Sequence, residues 1–171
     1  MDVILVDEQD NPVGTMGKME VHEKALLHRA FSVFIFNTKK QMLLQRRAIE
    51  KYHSAGLWTN ACCSHPKPGE ETIAAAQKRL QEEMGFSTSL QKAFSFTYKV
   101  SFENGLTEHE FDHVLIGYFD DHIEPNPHEV CDYAFMTIEE IETDIQLHPA
   151  KYTEWFKIAL PRLAAFINNS N

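Results

Sequence analysis

Apolar and polar positions along the chain follow two different periods. Phe94, Phe96, Tyr98, Val100 and Phe102 alternate with Ser95, Thr97, Lys99 and Ser101. A period of two predicts a strand with one aromatic face. Glu103-Asn104-Gly105 then turns the chain into a second strand that runs through Phe119. Between Glu70 and Met84 the period changes: Ile73, Ala76, Leu80 and Met84 recur at helical spacing, and Gly85 stands where a C-terminal cap belongs. Val3–Val6 reads as a first strand, followed by a turn at Asn11-Pro12 and Gly14. Phe31–Phe36 and Met42–Arg47 form a hairpin pattern around Asn37-Thr38-Lys39-Lys40. Tyr52–Pro68 is irregular, with room for one short strand. Tyr133–Met136 reads as a further strand and Ile138–Ile145 as a short helix. Pro149 is expected to open a C-terminal helix that reaches Ile167 and bends at Pro161. Hairpins with a central and a C-terminal helix predict an α+β fold, a mixed sheet with helices packed on its faces.

Length and composition narrow the classes. No repeat or linker divides residues 1–171, which read as one domain. The formal net charge is -9 at pH 7, a poor match to nucleic acid, which needs a positive footprint. Such a chain binds a diphosphate only through a local cluster of cations or a metal. No apolar run reaches membrane-span length, and Met1–Val6 is too short and too quickly acidic for a secretory signal, so a cytoplasmic, membrane-free protein is expected. Cys62, Cys63 and Cys131 form an odd set with two adjacent members, which is no disulfide framework.

Candidate chemistry lies in five places. Glu108 and Glu110 point to one face of their strand, with Cα atoms roughly 6–7 Å apart, and Asp112 continues that face. The pair is either a solvated sheet edge or a partly buried site that needs a cation. In Thr59-Asn60-Ala61-Cys62-Cys63-Ser64-His65-Pro66, Cys63 and His65 share a face if the segment is extended, while Cys62 points the other way, into the core. Cys131 is also read as core. His22 and His28 are loop histidines whose interest comes from combination: with His65, Glu108 and Glu110 they make three imidazoles and two carboxylates, suited to Zn²⁺ or Mn²⁺ rather than Ca²⁺. His53, His109, His113, His122, His128 and His148 read as surface or packing residues. Glu82-Glu83 near a helix C-terminus oppose the helix dipole, a conflict that a Mg²⁺ bridging to phosphate would remove and that a solvated acidic face would tolerate. Lys18, Arg46-Arg47, Lys51 and Arg79 are the cations available to a diphosphate; Arg46 and Arg47 face opposite ways, so one of them serves the site.

The helix resembles the Nudix signature Gx5Ex7REUxEExGU, with Glu70, Leu80, Glu82, Glu83, Gly85 and Phe86 in place. It departs from it at Ser64, which replaces the first glycine, and at Lys78-Arg79, which replaces the Arg-Glu pair. Arg79 removes an acid and adds a cation, which argues for binding a diphosphate without cleaving it. The surrounding segments resemble the type I isopentenyl diphosphate isomerases, a Nudix-fold family. His22, His28, Gln45-Arg46-Arg47-Ala48, Trp58-Thr59-Asn60, Cys63-Ser64-His65-Pro66, Tyr98, Glu108-His109-Glu110 and Trp155 fall in that family's order.

The resemblance implies a Nudix-like mixed sheet and isomerisation of isopentenyl diphosphate to dimethylallyl diphosphate. It implies His22, His28, His65, Glu108 and Glu110 as ligands of one divalent metal, Mn²⁺ or Zn²⁺. Glu83 would hold a Mg²⁺ completed by the substrate diphosphate. Lys18, Arg47, Lys51 and Arg79 would contact that diphosphate. Cys63 and Glu110 would be the catalytic groups, with Tyr98 supporting the glutamate and Trp155 covering the hydrocarbon. Cys63 is chosen over Cys62 by its register to His65 and Pro66. The partner would be a small-molecule diphosphate, with the chain a monomer or weak homodimer. The rival readings are a Nudix-type diphosphate hydrolase, which leaves Cys63 and the histidines unexplained, and a non-catalytic diphosphate- or metal-binding module.

Overall fold

A computed structural model describes residues 1–170. Nine strands form one mixed sheet, and its hub is β3 (His28–Phe36). Every residue from Ala30 to Phe36 is buried, because both faces of this strand are covered. β3 pairs in parallel with β8 (Thr107–Tyr118) along its length. It pairs antiparallel with β1 (Asp2–Val6), with β6 (Cys62–Ser64) and with β4 (Met42–Arg47) at successive positions. β7 (Leu90–Ser101) completes the long hairpin with β8, β2 (Pro12–Gly17) that with β1, and β5 (Trp58–Thr59) and β9 (Val130–Met136) flank β4.

Two apolar layers sandwich the sheet. On one face, Phe31, Val33, Ile35 and Leu115 pack with Ala76, Leu80 and Met84 of α2 (Thr72–Met84). On the other, Phe34, Leu44 and Val114 pack with Phe156, Leu160 and Leu163 of α4 (Glu154–Asn169) and Ile141 of α3 (Ile138–Leu147). α2 is capped at both ends: the Glu71 carboxylate accepts from the Ile73 and Ala74 amides, and Gly85 adopts φ +79°. α3 opens on a capping box of Thr137 and Glu140. Among the described residues, no helix is long and apolar enough to cross a membrane.

The structure corrects several expectations. The first turn is Asp7–Asn11, where the Asp7 carboxylate accepts the Gln9 and Asn11 amides. Pro12 and Gly14 lie in β2, an edge strand where a missing N–H costs no ladder bond. Lys18–Lys24 is a short helix, α1, too short to display a period in the sequence, and it lifts His22 out of the loop class. Tyr52–Pro68 contains two short strands rather than one. Pro149 opens only a 3₁₀ turn, because Tyr152 is drawn into a bridge with Trp58; α4 starts after Thr153, whose hydroxyl caps it. Cys131 is exposed, not core, since β9 presents it on an uncovered face.

Candidate active site

One cavity gathers residues from every layer, and the imidazole–carboxylate group beside it follows from strand register. His28 and Glu110 are Cα partners across the parallel β3–β8 pair. His65 follows β6, and α1 supplies His22. The three imidazoles lie 4.9–5.9 Å apart by ring centroids. One ligand atom from each of His22, His28, His65 and Glu110 lies within 4.8 Å of the others. His65 Nε2 is 2.7 Å from Glu110 Oε2. His28 donates from Nδ1 to Leu26 O at 2.9 Å, which aims its Nε2 inward, 3.2 Å from Glu110 Oε2 but off the hydrogen-bond direction.

Both ring nitrogens of His22, Nε2 of His28 and Nδ1 of His65 are buried without a hydrogen-bond partner. Orphaned buried nitrogens are costly, and several converging on one carboxylate fit a divalent cation that accepts imidazole and carboxylate donors. Burial, reinforced by His65 and His28, pushes the His22 imidazole down to about 3, so it is neutral, as a ligand must be. Burial pulls His65 down as well. Burial also acts on His28, but Glu110 more than offsets it and draws that ring up. Burial raises the Glu110 carboxyl, yet His65 and His28 together hold it well below the usual range.

Glu108 stands apart from this four-residue group. Its carboxylate accepts from the Tyr98 hydroxyl at 3.0 Å and meets His53 Nε2 at 3.2 Å. Tyr98, the Cα partner of Glu110 on β7, also donates to Glu110 Oε1 in a short hydrogen bond. One phenolic hydroxyl therefore spans the two carboxylates that the period of β8 places on one face. Both glutamates are buried, so that face is a site and not a solvated edge.

Cys63 and Cys62 point to opposite faces of β6, as alternation requires. Cys62 is fully buried on the α2 side and donates to Glu83 Oε2 at 3.5 Å. The Cys63 thiol lines the cavity, 3.2 Å from Asn60 Oδ1 and 3.5 Å from Ser32 Oγ. Burial pushes that thiol well up, with Asp112 adding to the effect. Burial and Glu110 likewise push the Asp112 carboxyl well up.

The cations line the same cavity, but they are not equally free. Lys18 Nζ sits 5.4 Å from the Tyr52 ring, and burial lowers its pKa. Arg47 lies over the Trp155 ring at 5.2 Å and donates to His53 O, while its Nε has no partner. Arg46 faces away and donates to Gly56 O. Lys51 is engaged by Glu129, and Arg79 by Glu82, Glu83 and Glu129 together. Glu83 is also held by Gln45 Nε2 at 3.0 Å. Trp155, 4 % exposed, forms a wall with Phe102 and His53.

The site residues singled out from sequence thus line one cavity, with His22 and His28 behind it in the imidazole–carboxylate group of His65 and Glu110. His53, read from sequence as a surface or packing residue, does pack, and it also lines the cavity, which the sequence reading did not foresee. It stacks on Phe102 at 4.8 Å and 14° and touches Glu108. The sequence reading passed over Ser32 and Glu129, and it noted Asn60 within its motif without giving it a role. Ser32 carried a signal of its own: a hydroxyl inside the apolar run Phe31–Phe36.

The NUDIX domain family profile matches residues 26–156. The chain is 51% identical over 162 residues to the "Isopentenyl-diphosphate Delta-isomerase" of Pectobacterium atrosepticum, covering 95% of this chain and 90% of that one. It is 50% identical to the protein of the same name from Serratia proteamaculans, covering 95% and 91%. Among solved structures, DR0079 from Deinococcus radiodurans superposes with a TM-score of 0.77 at 20% identity, over 95% of this chain and 98% of that one, a likeness of fold. With a Nudix sheet and this identity over nearly its whole length, the chain belongs to the NUDIX domain proteins and, among them, to the isopentenyl-diphosphate Delta-isomerase family.

Proposed function

We propose that this protein interconverts isopentenyl diphosphate and dimethylallyl diphosphate. The observation that carries the reading is that a thiol, Cys63 on β6, and a carboxyl–phenol pair, Glu110 on β8 with Tyr98 on β7, line one cavity walled by Trp155. The reaction adds a proton to the terminal alkene carbon and removes one from C2. An alkene is a very weak base, and its protonation makes a tertiary cation, so the site must exclude water and hold acid and base apart. Glu110, supported by the Tyr98 hydroxyl, gives the proton, and Cys63 takes one from C2. The Trp155 indole covers the hydrocarbon and stabilises the cation by about 2 kcal/mol when desolvated.

His22, His28, His65 and Glu110, with Glu108 as a further oxygen donor, would hold one divalent ion, Mn²⁺ or Zn²⁺, and Glu83 would hold Mg²⁺ together with the substrate diphosphate. When bound, these ions supply positive charge that acidifies a coordinated carboxyl group and neutralises phosphate oxygens. Lys18 and Arg47, the two of the four cavity-lining cations that have no carboxylate partner among the described residues, bind the diphosphate first, and Lys51 and Arg79 join by exchanging Glu129 for phosphate. These contacts supply binding energy remote from the reacting carbons. Hydrolysis is the poorer reading, because the place of a signature glutamate is taken by Arg79, which is tied to three glutamates. We place the activity in the cytoplasm.

The test is incubation with isopentenyl diphosphate and Mg²⁺ in D₂O, followed by proton NMR. Deuterated dimethylallyl diphosphate should form with the wild-type chain and fail to form with Cys63→Ala and Glu110→Gln. Release of phosphate or pyrophosphate without isomerisation would overturn the reading, and activity surviving in Cys63→Ala would move the thiol role to another residue.

A further inference from the structure

This inference rests on the reading of Cys63 and Trp155 as the thiol and the indole wall of the reaction. The segment Trp58-Thr59-Asn60, just before the thiol, has no part in that chemistry so far. Yet Thr59 and Asn60 are only 2 % and 1 % exposed. Buried polar side chains persist where they are hydrogen-bonded, so their partners show what they hold.

Asn60 is fixed by main chain. Its Nδ2 donates to Val33 O at 2.9 Å and to Cys62 O at 3.1 Å. Carbonyls only accept, so the amide has one orientation and Oδ1 faces the other way. Cys62 O belongs to the peptide that leads into Cys63, so Asn60 holds that strand through its backbone, whatever the state of the thiol. Oδ1 accepts the Thr59 hydroxyl at 2.9 Å. A hydroxyl has one hydrogen, so Thr59 can only accept at its other contact, and there the Thr153 hydroxyl donates to it at 3.0 Å. Thr153 is fully buried, is the N-cap of α4 and accepts the Phe156 amide at 3.4 Å. Each hydrogen along Thr153, Thr59 and Asn60 is thus used once, and in one direction.

Two of the three have a local reason to be polar. Asn60 satisfies two carbonyls, and Thr153 caps a helix. Thr59 has none: among the described residues its hydroxyl meets only the other two side chains. Valine is branched in the same way and suits a strand as well, so packing does not call for the hydroxyl. What the hydroxyl does is join two parts of the site. On one side stand Asn60 and the strand of Cys63. On the other is the first turn of α4, where Trp155 follows the cap by two residues. The backbone sets β5 beside that turn, through Thr153 N to Trp58 O at 3.0 Å and the bridge between Trp58 and Tyr152. The hydroxyl chain carries the connection on to Asn60.

We propose that Thr59 is a positioning residue for the reaction. Its hydroxyl links the α4 cap to Asn60 and so holds the Trp155 indole and the Cys63 strand at one separation across the cavity. The reacting carbons lie between that wall and that thiol, where a misplacement of about 1 Å is enough to cost a large factor in rate.

The test measures kcat, KM and Tm for the wild type, Thr59→Val and Thr59→Ser. The emission of Trp155 is recorded in a Trp58→Phe background, where it is the one tryptophan left. Thr59→Val should lower kcat roughly tenfold or more with KM within about threefold, because the diphosphate contacts stay in place. Thr59→Ser, which keeps the hydroxyl, should restore most of kcat. The Trp155 emission should shift in Thr59→Val and return in Thr59→Ser. If Thr59→Val does not fold, Thr59→Cys, a weaker donor of similar volume, should show an intermediate kcat, and a kcat there equal to wild type overturns the proposal. Retention of kcat within about threefold in Thr59→Val, whether or not Tm falls, or an equal loss in Thr59→Ser, overturns it as well. The emission needs no turnover, so it tests the link even if wild-type protein fails to isomerise isopentenyl diphosphate, and failure of the activity and failure of this inference are separable; an unmoved emission sinks the inference.

Discussion

Arg79 touches three carboxylates at once: Nε to Glu83 at 2.7 Å, Nη1 to Glu82 at 3.1 Å and Nη2 to Glu129 at 3.0 Å. A guanidinium can serve three acceptors because its donors are held in a rigid fork. This resolves the conflict between Glu82-Glu83 and the C-terminal end of the helix dipole without a metal, since the cation is supplied from within the same helix. The Glu83 side chain is only 7 % exposed, and Arg79 is the cation paired with it. Arg79→Met should therefore destabilise the fold by about 3 kcal/mol, the scale seen when one partner of a buried pair is removed. Arg79→Lys should recover only part of that loss, because a single ammonium cannot reproduce the fork. Urea denaturation midpoints of the three proteins check this, and a midpoint for Arg79→Met equal to wild type would refute it.

At the scale of elements, the site depends on two local devices. Strand alternation sends Glu108 and Glu110 to one side of β8 and separates Cys63 from Cys62 on β6. Helix α2 must stop at Met84, so that Glu83 lies in its last turn facing Gln45 and Cys62. Gly85 makes that stop, at φ +79°, and a Cβ there would lie 2.2 Å from Glu124 O. The left-handed conformation alone costs a non-glycine residue roughly 1–2 kcal/mol, and the backbone clash adds to it. Gly85→Ala should lower Tm by at least about 4 °C for a chain of this size. Its effect on kcat should be disproportionate, because the shift falls on the helix end that carries Glu83. A thermal melt and an activity assay on one preparation test both parts; an unchanged Tm contradicts the first.

At the scale of the whole molecule, the imidazole–carboxylate group ties together α1, β3, the segment after β6, and β8. These elements are separated in sequence and meet only when the sheet has formed. An ion bound there stabilises the native chain and not the unfolded one, by about 2.7 kcal/mol at a free concentration a hundred times its dissociation constant. Loading with Mn²⁺ or Zn²⁺ should raise Tm by roughly 5–10 °C over chelator-treated protein. His22→Ala should remove most of that rise while leaving the chelated protein's Tm little changed, since a buried imidazole without a hydrogen-bond partner contributes little to the fold. Identical melting curves with metal and with chelator would rule out a metal at this group.

Much of the molecule was legible in the chain, wherever structure is set locally. The period of two in Phe94–Phe102 became β7, the helical period with Gly85 became α2, and the continuous apolar run Phe31–Phe36 became the doubly covered β3. Alternation likewise separated Cys62 from Cys63. What failed was non-periodic or set across space. A seven-residue helix, α1, shows no period, and Pro149 lost its helix to a bridge between Tyr152 and Trp58. His53 was legible only as a surface or packing residue, and the contact with Glu108 arises when the loop that carries it folds onto Phe102. Cys131 had no local sign that its face of β9 lies uncovered. The chain by itself determined which residue types stand on which face of each element, because side-chain direction repeats with the backbone. Only the tertiary structure decided which of them touch, that Glu129 occupies Lys51 and Arg79, and that Ser32 meets the Cys63 sulfur, because those contacts depend on registers between strands far apart in sequence.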